Sequence, residues 1–266
     1  MLDPGLTGHD DRPVAGIDNG FVAGYRVRFD EAGPDGRLRT SALLRYAQDV
    51  AWRHSEALGF DRQWYVDRGR WWVVRAVELE VMAPIAMGQT LRVSTAVVGH
   101  RRIWARRLSG VTLADGTTAA RVLTDWVLLD DRGRLVRIPP DFGLSFTNPE
   151  LDDDILRVDP GAIGDAPEAL RVRVRPPDLD PMGHVNNAVY VDWLEEALAV
   201  SAPDPSSDLP SLPRRARLEY LASAEPDDEI VVDLRRSGDR WSSAIRRSRD
   251  GAELLRAQGS TGDGPG

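Results

Sequence analysis

The chain contains no cysteine and no lysine, and it has only four histidines among 266 residues. No apolar run approaches the roughly 18 residues that a membrane span needs. Each absence closes a class of chemistry. Without cysteine there is no disulfide, no thiolate metal site and no cysteine nucleophile. The histidines, His9, His54, His100 and His184, are scattered without ligand spacing, so no metal and no cofactor are expected. The first twenty residues, MLDPGLTGHDDRPVAGIDNG, lack both the basic start and the apolar centre of a signal peptide, and a cytoplasmic location is expected. The formal charge of -8 argues against nucleic acid as a partner, because binding there needs a basic field to replace the counterions of the phosphates.

What is present is enough for a packed core: 42% of the residues are apolar, and the length allows one large domain or two ordinary ones. All 34 basic residues are arginine, several of them in pairs such as Arg101 and Arg102, Arg106 and Arg107, Arg214 and Arg215, Arg235 and Arg236, and Arg246 and Arg247. Outward positions on strands account for most such pairs; a patch that docks an anionic partner or a phosphate is the functional alternative.

The pattern SALLRYAQDVAWRHSEALGF predicts a helix from Ser41, with Thr40 or Ser41 as its N-cap. Its polar positions Arg45, Gln48, Asp49, Arg53 and Glu56 form a narrow stripe, so the helix is covered on most sides. The stretch AVYVDWLEEAL after Asn187 repeats the design, with Asp192, Glu195 and Glu196 as the stripe. Aligning Gly36 with Gly183 gives an offset of 147 that carries Arg45, Gln48 and Asp49 onto those three acids. Strand-like runs follow each helix, four in each half, separated by turn signals such as ADGT and DDRG. Two duplicated units, each an antiparallel sheet wrapped around a central helix, give an α+β fold. The expected units are residues 22–140 and 169–260, with a linker rich in proline, glycine and acid over 141–168.

The chemistry gathers just before the second helix, in DLDPMGHVNNAVYVDWLEEAL. Asp180, His184, Asn186 and Asn187 crowd together where a helix would present free backbone N–H groups and the positive end of its dipole. Each residue taken alone has an ordinary structural role in turn or cap. The first copy, GPDGRLRTS, keeps the turn and helix yet has Gly33, Arg37, Arg39 and Thr40 at the four positions. A fold that tolerates their loss in one copy points to chemistry in the other.

These residues resemble the hotdog proteins of the 4-hydroxybenzoyl-CoA-thioesterase type. Two fused copies with the motif in the second are similar to the acyl-[acyl carrier protein] thioesterases of plants and bacteria. The likeness runs in element order from about Phe29 to Gln258, through WVVRAVELEV, TDWVLLDDRGRLVRIP and RARLEY. It implies two tandem hotdog domains and hydrolysis of a fatty acyl thioester, with acyl carrier protein or coenzyme A as the thiol carrier.

The family's catalytic aspartate falls on Asp180 and its histidine on His184, while Met182 stands where asparagine is usual. Ser223 and Ala224 stand where the plant enzymes place a glutamate and a cysteine, leaving a scheme centred on aspartate. Asp180 would activate water or attack the carbonyl itself; Asn187 would present the oxyanion amide and Asn186 would tie down the turn. His184 would orient water, bond to the thioester oxygen or protonate the leaving thiolate. In the family the first half receives much of the acyl chain, a role compatible with Trp52, Trp64, Trp71, Trp72 and Met82. A hotdog hydratase and a non-catalytic binder of acyl thioesters are the competing expectations. One chain could be complete as a monomer with an internal pseudo-dimer, or could form a homodimer.

Overall fold

A computed structural model describes residues 20–140, 154–159, 163, 166–202 and 212–262; the expected linker and His9 lie largely outside these. The first half runs β1 (Phe21–Arg26), α1 (Thr40–Ala57), α2 (Arg62–Arg68), β2 (Arg70–Val81), β3 (Thr90–Arg101), β4 (Trp104–Leu113) and β5 (Thr118–Asp130). The second runs β6 (Glu168–Arg173), α3 (Asn187–Val200), β7 (Arg214–Tyr220), β8 (Glu229–Ser237), β9 (Arg240–Arg247) and β10 (Glu253–Thr261). The ten strands among the described residues form one sheet in the order β1-β3-β4-β5-β2-β7-β10-β9-β8-β6, with β2 and β7 joining the halves antiparallel. The sheet wraps α1 and α3, and the main apolar core runs through both halves. This is the double hotdog architecture.

The duplication is visible in detail. Arg45 pairs at 2.6 Å with Asp192, its own counterpart at an offset of 147. Glu78 is bonded by Arg217, its counterpart where LEVMAP lies over LEYLAS, an offset of 139. A pseudo-twofold axis therefore passes between the two helices and between the two central strands. Before α1, Glu31 accepts from the backbone of Arg28; before α3, Asp178 accepts from the backbone of Arg175. Each copy then makes one tight turn at a glycine with positive φ, +73° at Gly36 and +77° at Gly183, where a side chain would be strained. Thr40 at the start of α1 meets Glu195 on α3, while Arg45 meets Asp192, so the helices run antiparallel across the axis.

Three local expectations need correction. Neither Thr40 nor Ser41 caps α1: Arg39 holds the cap position without a side-chain capping bond, and Thr40 is the first helical residue. Its N–H is satisfied from the other half, by the Glu195 carboxylate at 3.1 Å, so tertiary structure supplies what a cap would. The pair Arg106 and Arg107 is not solvent-exposed, since both residues are buried. Neighbours on a strand point to opposite sides, so Arg106 emerges beneath residues 154–156 and Arg107 turns inward toward α1. Helix α2 stood outside the expected elements, although Asp61 caps it by accepting from Trp64 N and Gly69 ends it in the left-handed region.

On the outer face Arg106 grips the fully buried Asp125 through bonds of 2.7 Å to Oδ1 and 2.9 Å to Oδ2, and Oδ2 also accepts from Leu156 N. Removing one partner strands a buried charge. Asp125→Ala should lower unfolding stability by about 3 kcal/mol in a denaturant titration; a loss below about 1 kcal/mol would show that water reaches the guanidinium.

Candidate functional site

The loop ahead of α3 is built to hold Asp180. Leu179 bridges Val185, Asp180 N donates to His184 O at 2.8 Å, and Asn186 N donates to the carbonyl of buried Asp178 at 2.9 Å. Within that frame Asp180 Oδ1 accepts from Met182 N at 2.8 Å and His184 N at 3.3 Å. One carboxylate oxygen is thus fixed by backbone donors and the other is left for a ligand. Asn186 is the N-cap of α3, its side chain accepting from Ala188 N at 2.9 Å. Asn187 is the first residue of the helix, and its backbone N–H meets no acceptor among the described residues. From the opposite side its carbonyl accepts the Tyr220 hydroxyl at 2.9 Å, which anchors the helix start to β7. Burial pushes the Tyr220 and Tyr190 hydroxyls up, the latter to about 12, so both stay protonated structural donors at neutral pH.

Asp180, Asn186 and Asn187 open together onto a cavity of about 630 Å³ that runs into the first half. Its near wall is Arg45, Gln48 and Asp49 of α1, and its deeper wall is mostly aromatic, with Tyr65, Trp71, Trp72 and Trp126. Of the four residues chosen from sequence, three line this space. His184 does not: its side chain is exposed, and its link to the site is the backbone N–H that holds Asp180. Met182 sits at the mouth, 41% exposed, while exposed Ser223 and buried Ala224 lie off the cavity wall.

The aromatic expectation divides. Trp52, Trp71 and Trp72 line the cavity, but Trp64 and Met82 do not. Trp64 turns to the other side of α2, edge-on to Phe60 and under Arg68 at 4.3 Å. Met82 follows the far end of β2, ten residues from Trp72 and so about 33 Å along the strand. Gln48, Tyr65, Arg107 and Trp126 were not chosen from sequence. Gln48 carried a signal, because the register of the two polar stripes places it opposite Asn187 as Glu195 lies opposite Thr40.

The pseudo-symmetric mouth is closed. Where Asn187 presents a free N–H, Thr40 N is taken by Glu195, whose carboxylate lies 3.9 Å from Arg214. Burial raises the Glu195 carboxyl and lowers the Arg214 guanidinium. The space beside them amounts to two clefts of about 10 and 40 Å³. Only the end that carries Asp180 opens on a chain-sized cavity among the described residues. These residues contain no group of three or more acids and histidines able to hold a metal, and no helix long and apolar enough to cross a membrane.

Comparison with known proteins gives a consistent picture. Residues 18–145 match the acyl-ACP thioesterase N-terminal domain and residues 163–258 the acyl-ACP thioesterase C-terminal domain. A chloroplastic acyl-[acyl-carrier-protein] hydrolase of Cuphea viscosissima is 24% identical over 90% of this chain and 61% of its own length. The chain therefore spans about three-fifths of the length of the curated relatives it matches. Among solved structures, the 12:0-ACP thioesterase from Umbellularia californica aligns with a TM-score of 0.73 at 23% identity, covering 91% of this chain and 96% of that one. An acyl-ACP thioesterase from Bacteroides thetaiotaomicron aligns with a TM-score of 0.75 at 15% identity, covering 92% and 98%.

Proposed function

The chain belongs to the acyl-ACP thioesterase family, and from that premise we propose that it hydrolyses fatty acyl thioesters carried on acyl carrier protein, releasing free fatty acid and the carrier thiol. The observation that carries the reading is the meeting of three features at one point: a half-free carboxylate, an unpaired helix N-terminal N–H and the mouth of a chain-sized cavity. Asp180 takes a proton from the water that attacks the carbonyl, or attacks the carbonyl itself to give an anhydride that water then hydrolyses. The Asn187 N–H, reinforced by the helix dipole, holds the oxyanion. Collapse of the tetrahedral species expels a thiolate, a good leaving group that needs little assistance.

Asn186 acts by capping, so that the first turn stays open toward the substrate. His184 acts by position: its backbone fixes Asp180, and its ring stands outside the cavity. His184→Ala should therefore lower kcat less than tenfold; a loss as deep as that of an Asp180 variant would give the ring a direct part. One chain already holds both units of a hotdog pair, so it serves as the working unit, acting in the cytoplasm.

The test is a panel of acyl chains on carrier protein and on coenzyme A, with thiol release followed by a thiol-reactive dye. Release from the carrier-protein series supports the reading. Release from coenzyme A alone moves the carrier assignment, and release from neither overturns the function.

A further inference from the structure

The acyl cavity has a charged place in its wall that hydrolysis does not use. Arg107 on β4 is only 7% exposed and lines both the main cavity and the cleft of about 10 Å³ that joins it to Asn187. Its Nη1 donates to His54 Nδ1 at 2.9 Å and to Thr95 Oγ1 at 3.3 Å. A guanidinium can only donate, so His54 accepts through Nδ1 and is neutral, and both partners are uncharged. No carboxylate pairs with Arg107 among the described residues. Other arginines with little exposure are treated differently: buried Arg106 has Asp125, and the part-buried Arg75 and Arg214 have Glu219 and Glu195. Burial brings the Arg107 guanidinium down to about 10, so it remains a cation at neutral pH.

A buried cation without a counter-charge is costly in a wall meant only for methylenes. The polar surroundings extend along the same wall. Ser55 and Tyr65 share a 2.8 Å hydroxyl contact there, and the indole N–H of Trp126 is buried without an acceptor among the described residues.

We propose that the cavity selects acyl chains bearing an oxygen substituent, a hydroxyl, oxo or carboxylate group, which accepts from Arg107. Position along the chain follows from α1. Gln48 faces the reacting end and His54 holds Arg107; six residues separate them, about 9 Å along the helix axis. The oxygen therefore sits part-way along a long acyl chain, or at the end of a short one.

This inference rests on the acyl-thioester reading of the cavity, and its test separates the two. Thioesters of one chain length are compared as the unsubstituted chain, the chain with a hydroxyl or oxo group part-way along, and the chain with a terminal carboxylate. At least one oxygenated series should show a kcat/KM about tenfold or more above the unsubstituted one, the scale of a hydrogen bond to a buried charge. Arg107→Met should bring that ratio close to one. Equal or better turnover of the unsubstituted chain, or a preference that survives in Arg107→Met, overturns the proposal. Should the variant not fold, the free acids are compared on the unaltered protein by thermal shift. Greater stabilisation by the oxygenated acid supports the proposal and equal shifts overturn it. Selective stabilisation without any thiol release would remove hydrolysis and leave this specificity standing, while release from unsubstituted chains alone would do the reverse.

Discussion

Asp180→Asn should cut thiol release from acyl carrier protein substrates by at least about 100-fold, with the melting temperature within a few degrees of the parent protein. The two halves of that expectation come from the two oxygens. Oδ1 accepts from Met182 N and His184 N, work that an asparagine carbonyl performs equally well, so the turn keeps its shape. Oδ2 makes no bond among the described residues, and Asp180 lines the cavity. Replacing it with an amide removes the basic or nucleophilic atom and nothing else. The loss should appear in kcat, because the acyl chain is bound by walls the substitution leaves alone. A variant with full activity and native stability would show that the carboxylate is only a turn former and that water is activated elsewhere.

How far the sequence discloses this arrangement depends on whether the signal is local. The helices α1 and α3 and eight of the strands carry their periodicity in the chain, and the offset of 147 was legible because matching stripes repeat in register. The edge strands β1 and β6 were not anticipated. They are six residues each, sit at the two ends of the sheet and show no clean alternation, so their identity comes from the partner strand. Asp180, Asn186 and Asn187 were legible because one loop brings them together.

In the other half only Gln48 carried a signal, through the register of the stripes; Tyr65, Arg107 and Trp126 converge from α2, β4 and β5 only after the sheet closes. His184 shows the limit of motif reasoning from the opposite side. Four residues from Asp180 is near enough for a backbone bond, yet the direction of the ring is set by the turn. The cap of α1 failed for a related reason: the donor exists locally, but its acceptor, Glu195, lies 155 residues away.

The closed pseudo-site supplies its own experiment, since it shows what silences a mouth of this geometry. Glu195 lies opposite Thr40 N and Gln48 occupies the symmetric place opposite Asn187 N, both pairs fixed by the offset of 147. Gln48→Glu should therefore reproduce at the open end the plug seen at the shut one. The new carboxylate would accept from the Asn187 N–H, a charge-assisted bond at a helix N-terminus, and would set a negative charge where the oxyanion must form.

Loss of one oxyanion donor typically costs 100- to 1,000-fold in kcat, and a reduction of at least about 100-fold is expected here. The sign of the pH response follows. The plug exists while the introduced carboxyl is ionised, so relative activity of the variant against the parent should rise as pH falls through that carboxyl's titration, whereas Gln48→Leu, which cannot ionise, should show no such recovery. The backbone is already adapted to this contact in the other half, so the variant should fold. Normal turnover by Gln48→Glu at neutral pH would mean that the Asn187 amide does not hold the oxyanion, and the donor would then have to be sought at another point on the cavity wall.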